Sequence, residues 1–152
     1  MPSIINMSKT VLFICTGNYY RSRYAEIYFN HLASKMGLDW KAISRGLEAS
    51  EGRNEGPISK FALERLTRRG LSPGNPIRFP LQLGKKDLLE ASLIVAINRV
   101  EHQPMMQKQF PAWAGRITYW EVADLNITDA ENALPAIEEQ IHSLMENISS
   151  TL

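Results

Sequence analysis

Two short β-branched apolar runs constrain the fold of this chain most strongly. TVLFIC (residues 10–15) and SLIVAI (residues 92–97) are continuous, about strand length and bounded by polar residues, as expected of strands buried on both faces. Residues 39–44 and 116–122 are two further strand candidates. Segments with helical periodicity separate all four strands. This alternation predicts an α/β fold, a four-stranded parallel sheet flanked by helices on both faces.

The helical segments carry recognisable end signals. The first has apolar residues at helical spacing, with Ser22 as the predicted N-cap and Gly37 just past its end. In the second, Pro57 fits the first turn and Gly70 closes the helix. Two shorter helices are predicted over residues 85–90 and 101–109.

The last helix has apolar residues at spacings of three and four, but two starting points are open. Thr128 followed by Glu131 has the pattern of a capping box. Pro135 instead favours a start nearer Asn132, because proline is tolerated best in the first turn.

Length and composition predict one cytoplasmic domain. The 152 residues fit a single domain, expected over residues 9–152 after a disordered lead-in at residues 1–8. The 17 basic and 16 acidic residues give a net charge of +1, which argues against a nucleic-acid partner. Apolar runs are too short to span a membrane, so no membrane association is expected.

Cysteine and histidine usage argue against disulfides, metals and cofactors. The lone cysteine cannot form an internal disulfide or a cysteine-rich metal cluster. The three histidines are isolated and have no ligand spacing between them. We therefore expect a site that works without a metal or a cofactor.

Three chemically useful side chains follow predicted strands. They are Cys15 after the first strand, Arg45 after the second and Asp124 after the fourth. Ligands of open α/β sheets bind outside the carboxyl ends of the strands, so these side chains are expected at one edge. Arg45 could steer an anionic substrate towards the site, or it could be a solvated surface residue without a role there. Both alternatives are open.

The segment CTGNYYRS (residues 15–22) has the features of a phosphate-binding loop. Gly17 and Asn18 tolerate backbone conformations that turn successive N–H groups inward. The following helix adds its positive end, and Arg21 supplies a planar fork that matches two phosphate oxygens. The loop therefore predicts an anion site with a sulfur at its base.

The same surroundings suit Cys15 as a nucleophile. A thiol at a helix N-terminus beside an arginine ionises more readily than a free thiol, and the Ser22 hydroxyl could stabilise the thiolate. Attack on phosphorus would give a phosphocysteine, and the leaving oxygen would need an acid. We expect Asp124 to be this acid. Its rival Asp129 suits a helix start, and a buried inert thiol is the structural alternative for Cys15.

Four segments of the chain resemble the low-molecular-weight protein tyrosine phosphatase family. They are VLFICTGNYYRSRYAE (residues 11–26), ISRG (43–46), GPIS (56–59) and QFPAWAGRITYWEVAD (109–124). The resemblance implies a flavodoxin-like fold and hydrolysis of phosphomonoesters, above all protein phosphotyrosine, with inorganic phosphate or vanadate as ligands. It implies Cys15 as nucleophile, Arg21 as phosphate clamp and Asp124 as acid. The remaining loop residues would bind phosphate or organise the loop: Thr16, Gly17, Asn18, Tyr19, Tyr20 and Ser22.

This chain departs from the family pattern at several positions. Tyr20 stands where many members have a second cysteine, so peroxide is expected to drive Cys15 towards irreversible oxidation. Arg23 replaces a proline, and Leu125 replaces the proline after the acid. The segment 48–56 lacks the usual cleft aromatic, which leaves Tyr19 and Tyr20 as candidate cleft walls.

Two other functions share this fold. An arsenate reductase would need a relay of further cysteines, which Cys15 alone cannot supply. A phosphate-binding regulatory module would keep the loop but turn over poorly, as the altered segment after Asp124 would allow. The set of Cys15, Arg21, Ser22 and Asp124 is intact, which favours a phosphatase over a phosphate-binding module.

Overall fold

A four-stranded parallel sheet forms the centre of the protein. The computed structural model describes residues 9–51, 54–124 and 129–150. Its strands are β1 (Lys9–Cys15), β2 (Trp40–Gly46), β3 (Leu93–Ala96) and β4 (Thr118–Tyr119). They lie in the order β2-β1-β3-β4, and every ladder between them is parallel. The structure confirms the predicted sheet and shortens its last strand.

Strand β1 is buried on both faces, as its continuous apolar run predicted. Val11 and Phe13 pack into one hydrophobic core, and Leu12 and Ile14 pack into a second core on the opposite face. All four side chains are fully buried. Because β1 is central, its carboxyl end places Cys15 between β2 and β3.

In the part of the chain that the structure describes, six α-helices cover the two faces of the sheet. The helices α1 (Arg21–Met36), α2 (Lys60–Arg68) and α6 (Ala130–Ser150) enclose the core that contains Phe13. On the other face lie α3 (Lys85–Glu90), α4 (Arg99–Gln109) and α5 (Pro111–Ala114). Within the described ranges, none of these helices has the length and apolarity needed to span a bilayer.

Helix α2 begins three residues later than the position of Pro57 predicted. The Pro57 carbonyl accepts a hydrogen bond from Arg23 Nη1 at 2.7 Å, and the Ser59 N–H donates to the Tyr19 carbonyl at 2.9 Å. These contacts hold residues 57–59 outside the helix. Ser59 then becomes the N-cap, with its hydroxyl accepting from the Phe61 N–H at 3.1 Å.

Helix α6 begins between the two predicted starting points. Asp129 Oδ1 accepts a hydrogen bond from the Asn132 N–H at 3.2 Å, so Asp129 caps the helix and Pro135 lies inside it. Thr128, the alternative cap, lies outside the described residues.

A buried carboxylate joins three helices on one face of the sheet. The side chain of Glu138 in α6 is 8% exposed and forms two-pronged ion pairs with Arg65 of α2 and with Arg69, the residue just past its end. The Tyr24 hydroxyl of α1 also donates to it. Burial alone would raise the pKa of Glu138, but the hydrogen bonds from Arg65 and Tyr24 and the arginine charges hold this pKa below its usual value.

We predict that Glu138→Gln lowers the free energy of unfolding at pH 7 by about 3 kcal/mol, because it removes the buried charge that binds Arg65, Arg69 and the Tyr24 hydroxyl. A carboxylate with a depressed folded-state pKa stabilises the protein above its unfolded pKa of about 4.3, and this contribution is lost as the pH falls. Urea unfolding at pH 7 and pH 3.5 should therefore show a smaller wild-type advantage in acid. Glu139→Gln, at an exposed position in the same helix, is the control.

Candidate active site

The loop from Cys15 to Ser22, here called the thiol loop, joins β1 to α1 at the carboxyl edge of the sheet. Its carbonyl groups face outwards. Leu47 N–H donates to the Cys15 carbonyl, Glu48 N–H to that of Thr16 and Ser59 N–H to that of Tyr19, at 2.8 to 2.9 Å.

The N–H groups of the thiol loop are left without protein acceptors. Within the part of the chain that the structure describes, the backbone N–H groups of residues 17–20 make no hydrogen bond. The first turn of α1 adds further unpaired N–H groups. Donors without acceptors at a helix N-terminus are the features of an anion-binding site.

Cys15 lies at the base of this loop with a defined hydrogen-bond donor. Its side chain is 2% exposed, and its Sγ lies 2.9 Å from the Ser22 Oγ. Asn18 Nδ2 donates to the same Oγ at 2.9 Å, so the Ser22 hydroxyl proton is directed to the sulfur. Ser22 was predicted as the N-cap of α1, and this is wrong. It lies inside the helix, where its hydroxyl binds Cys15 instead.

Asn18 fixes the shape of the loop from within the core. It has a positive φ of 52° and is fully buried. Its amide donates to Ser22 and Ser44 and accepts from Arg78 Nη1 and the Leu81 N–H, at 2.9 to 3.0 Å. The amide therefore uses both hydrogens and both oxygen lone pairs, which leaves a single orientation.

Gly46, the last residue of β2, lies directly against the thiol loop. A Cβ at this position would lie 2.7 Å from the Thr16 carbonyl oxygen, 2.8 Å from the Asn18 nitrogen and 2.9 Å from the Gly17 carbonyl carbon. All three atoms belong to backbone that the loop cannot easily move. The close approach of β2 thus requires glycine.

Arg21 is held by a residue that the sequence reading did not single out. Its side chain is 3% exposed, and its Nη1 and Nη2 donate to the two carboxylate oxygens of Glu101 at 3.0 and 2.9 Å. Nη1 also donates to the Val122 carbonyl at 3.0 Å, and Asp124 Oδ2 lies 3.8 Å from Nη2. Burial alone would lower the pKa of Arg21, but the Glu101 hydrogen bond and the charges of Cys15, Glu101 and Asp124 raise it.

Glu101 and His102 form a small network at the start of α4. The Thr16 hydroxyl donates to Glu101 Oε2, and His102 Nε2 lies 3.1 Å from Thr16 Oγ1 and 3.3 Å from Glu101 Oε2. Because the Asn98 N–H donates to His102 Nδ1 at 3.0 Å, the ring proton of the neutral imidazole lies on Nε2. Burial, the largest cause, lowers the pKa of His102. Burial would raise the pKa of Glu101, but the bonds from His102, Arg21 and Thr16 lower it strongly.

A cavity of about 740 Å³ opens above the thiol loop. The cavity is lined by the thiol loop, by Asp124, by Glu48 and by residues of the segment 54–61. The segment 48–56 contributes no aromatic side chain, but a residue further along the chain does. Phe61 in α2 lines the cavity with Tyr19 and Tyr20, and it is 38% exposed. It was missed because its helical spacing suggested a core position.

The two tyrosines of the loop have different surroundings. Tyr19 OH donates to the Glu55 carbonyl at 2.5 Å and so ties the loop to the segment that precedes α2. Tyr20 is 6% exposed, and its hydroxyl has no hydrogen-bond partner in the described ranges. Burial, the largest cause, raises the pKa of Tyr20 to about 12, so the hydroxyl stays protonated.

The other candidate residues are separated by the structure. Asp124 lines the cavity with its side chain 46% exposed, whereas Asp129 is engaged as the cap of α6. Arg45 pairs with Asp87, with Nε 3.3 Å from Oδ1, and does not line the cavity. The steering role considered for Arg45 therefore finds no support.

Fold and site together define an α/β protein with a thiol at the base of an oxyanion-binding loop. The chain belongs to the low molecular weight phosphotyrosine protein phosphatase family, whose family model matches residues 10–151. It is therefore a hydrolase of the phosphatase class.

Individual relatives agree with this assignment. The protein-arginine-phosphatase of Bacillus subtilis strain 168 is 28% identical over 107 residues, which cover 70% of this chain and 67% of that protein. The structure of YfkJ from Bacillus subtilis superposes with a TM-score of 0.82 at 26% identity, covering 95% of this chain and 97% of that one. A low molecular weight protein tyrosine phosphatase from T. tengcongensis gives a TM-score of 0.77 at 28% identity, with 92% and 99% covered.

We predict that Gly46→Ala displaces the thiol loop, lowers the free energy of unfolding by about 1–3 kcal/mol and reduces kcat/KM at least about tenfold. Thermal unfolding and steady-state hydrolysis of p-nitrophenyl phosphate measure the two effects. Gly115→Ala is the matched control, because a Cβ there would have nothing within 4 Å. If the two variants had the same free energy of unfolding and the same kcat/KM, the close approach of Gly46 to the thiol loop would be contradicted.

Proposed function

We propose that this protein, a phosphatase by its family, hydrolyses phosphomonoesters through a phosphocysteine on Cys15. The observation that carries the proposal is the Cys15 Sγ, 2.9 Å from the Ser22 Oγ, at the base of a loop with unpaired N–H groups. An anion bound by Arg21 and these N–H groups would lie above the sulfur. Thr16, Gly17, Asn18, Tyr19 and Tyr20 complete the proposed phosphate-binding set.

In the first step the Cys15 thiolate attacks phosphorus, the S–P bond forms and the ester P–O bond breaks. Asp124, in its protonated form at the edge of the cavity, gives its proton to the leaving oxygen. Its carboxylate then accepts a proton from water as that water attacks phosphorus and the S–P bond breaks. Phosphate leaves, and both side chains return to their starting states.

Phosphotyrosine in proteins is the proposed substrate. Support comes from the family and from Tyr19, Tyr20 and Phe61, which line a cavity able to receive an aryl group. The Arg21 side chain would hold the phosphoryl group, and the Ser22 hydroxyl would donate to the Cys15 thiolate. Inorganic phosphate and vanadate are the expected small ligands.

A phosphorylated arginine is the second candidate substrate. The Bacillus subtilis relative is named a protein-arginine-phosphatase. Three carboxylates, Glu48, Glu55 and Asp124, line the cavity of this chain, and a guanidinium leaving group would find complementary charge there.

We further propose that the protein acts in the cytoplasm, because the lone thiol must stay reduced to act as a nucleophile. Residues 9–152 are proposed as a single domain, which the common sheet of the described residues supports. The expected lead-in, residues 1–8, lies outside the described residues.

We predict that Cys15→Ser reduces kcat on p-nitrophenyl phosphate at least about a thousandfold while vanadate still binds. Hydrolysis of a phosphotyrosine peptide and a phosphoarginine peptide, measured beside the small ester, identifies the substrate class. Turnover that survives in Cys15→Ser would reject the nucleophile. If the wild-type protein binds vanadate but shows no turnover, the hypothesis of a phosphate-binding regulatory module would replace that of an enzyme.

Asp124→Asn should slow phenyl phosphate hydrolysis about 100-fold or more, because its phenoxide leaving group requires a proton. Esters with activated leaving groups should be slowed much less. The measurement is the dependence of kcat on leaving-group acidity for both proteins. Asp129→Asn is the control, and equal leaving-group dependence in wild type and Asp124→Asn would assign the acid elsewhere.

A further inference from the structure

We propose that Glu101 is a positioning residue that fixes the guanidinium of Arg21 for catalysis, an inference that rests on the proposed phosphatase function. Its carboxylate binds the Nη1/Nη2 end of Arg21 and also accepts from the Thr16 hydroxyl. One side chain from α4 therefore connects the beginning of the thiol loop with its end.

The donors of Arg21 show what this arrangement leaves for a ligand. A guanidinium has five N–H donors in a planar fork. Glu101 takes one from Nη1 and one from Nη2, and the Val122 carbonyl takes the second from Nη1. The Nε–H and the remaining Nη2–H are adjacent, and among the described residues neither has a hydrogen-bond acceptor. These two donors can bind two oxygens of one phosphoryl group.

Glu101 acts from behind the guanidinium. Arg21 lines the cavity, whereas Glu101 is not among the residues that line it. The carboxylate is therefore placed to orient Arg21 without occupying the position of the phosphoryl group.

The start of α4 keeps Glu101 itself in place. Asn98 caps the helix, with its Oδ1 accepting from the Val100 N–H at 3.1 Å, and its own N–H donates to His102 Nδ1. His102 is fully buried and presents Nε2–H to Thr16 and Glu101. The carboxylate is thus supported by a capped helix start and by a buried, hydrogen-bonded imidazole.

Preorganisation of this kind favours the transition state over the ground state. The loop N–H groups can hold a tetrahedral phosphate without Arg21 being aligned. The trigonal arrangement of oxygens in the transition state requires the fork in one orientation. Loss of Glu101 should consequently lower kcat more than it changes KM. It should also weaken the binding of vanadate more than the binding of phosphate.

The test is Glu101→Gln, which keeps the size of the side chain and one acceptor but loses the two-pronged charged pair. We expect kcat on p-nitrophenyl phosphate to fall about tenfold or more, as the loss of a charge-assisted hydrogen bond implies, with KM changed by less than about threefold. The inhibition constant of vanadate should rise about tenfold, and that of phosphate less than about threefold. Glu139→Gln removes an exposed carboxylate and should match the wild type.

A double-mutant cycle separates positioning from a general structural role. In an Arg21→Lys background, Glu101→Gln should produce little further loss of vanadate affinity, because the group that it orients is already absent. An undiminished effect in that background would overturn the proposal. So would wild-type kcat in Glu101→Gln, or equal weakening of phosphate and vanadate.

Failure of the proposed function is distinguishable from failure of this inference. A wild-type protein without turnover would refute the phosphatase mechanism. The contrast between vanadate and phosphate binding, together with its dependence on Arg21, would still support or reject the role of Glu101.

Discussion

Buried positive charge is the constraint on which the site depends. Arg21 and Arg23 are each 2% exposed, and both lie at the start of α1. Arg21 is compensated by Glu101, whereas the hydrogen bond shown for Arg23 in the described residues goes to the Pro57 carbonyl. Burial, and then the charge of Arg78, lowers the pKa of Arg23 to about 10, still well above neutral pH. An anion in the thiol loop would therefore meet a guanidinium charge that the protein has only partly compensated.

The same contacts connect the fold with the site. The carbonyls of the thiol loop accept hydrogen bonds from the segments that follow β2 and precede α2, so two other segments that line the cavity are held to the loop. Gly46 permits this close packing, and the Asn18 amide fixes the loop from below. The N–H groups needed for an anion are available because the carbonyls of the loop are already satisfied elsewhere. The hydrogen bonds that shape the thiol loop are therefore the same ones that leave its N–H groups available to an anion.

Local sequence was sufficient to predict the strand, loop and helix that carry Cys15 and Arg21, because their signals lie within about twenty consecutive residues. The geometry around Asn18 agrees with its expected place in the loop. Glu101 was missed although it follows a buried strand, at the same sheet edge as Cys15. Its role depends on the approach of α4 to α1, which no local pattern encodes. The prediction for Ser22 failed because the sulfur of Cys15 competes for a hydroxyl that would otherwise suit a helix cap.

Trapping of the phosphorylated intermediate tests directly whether Cys15 is the nucleophile. Wild-type protein and Asp124→Ala would be mixed with an activated aryl phosphate, quenched within milliseconds and digested for mass spectrometry. We expect a phosphoryl group on Cys15, most abundant in Asp124→Ala because the water that hydrolyses the intermediate lacks its base. Turnover with no phosphoryl group on Cys15, or with one on another residue, would contradict it.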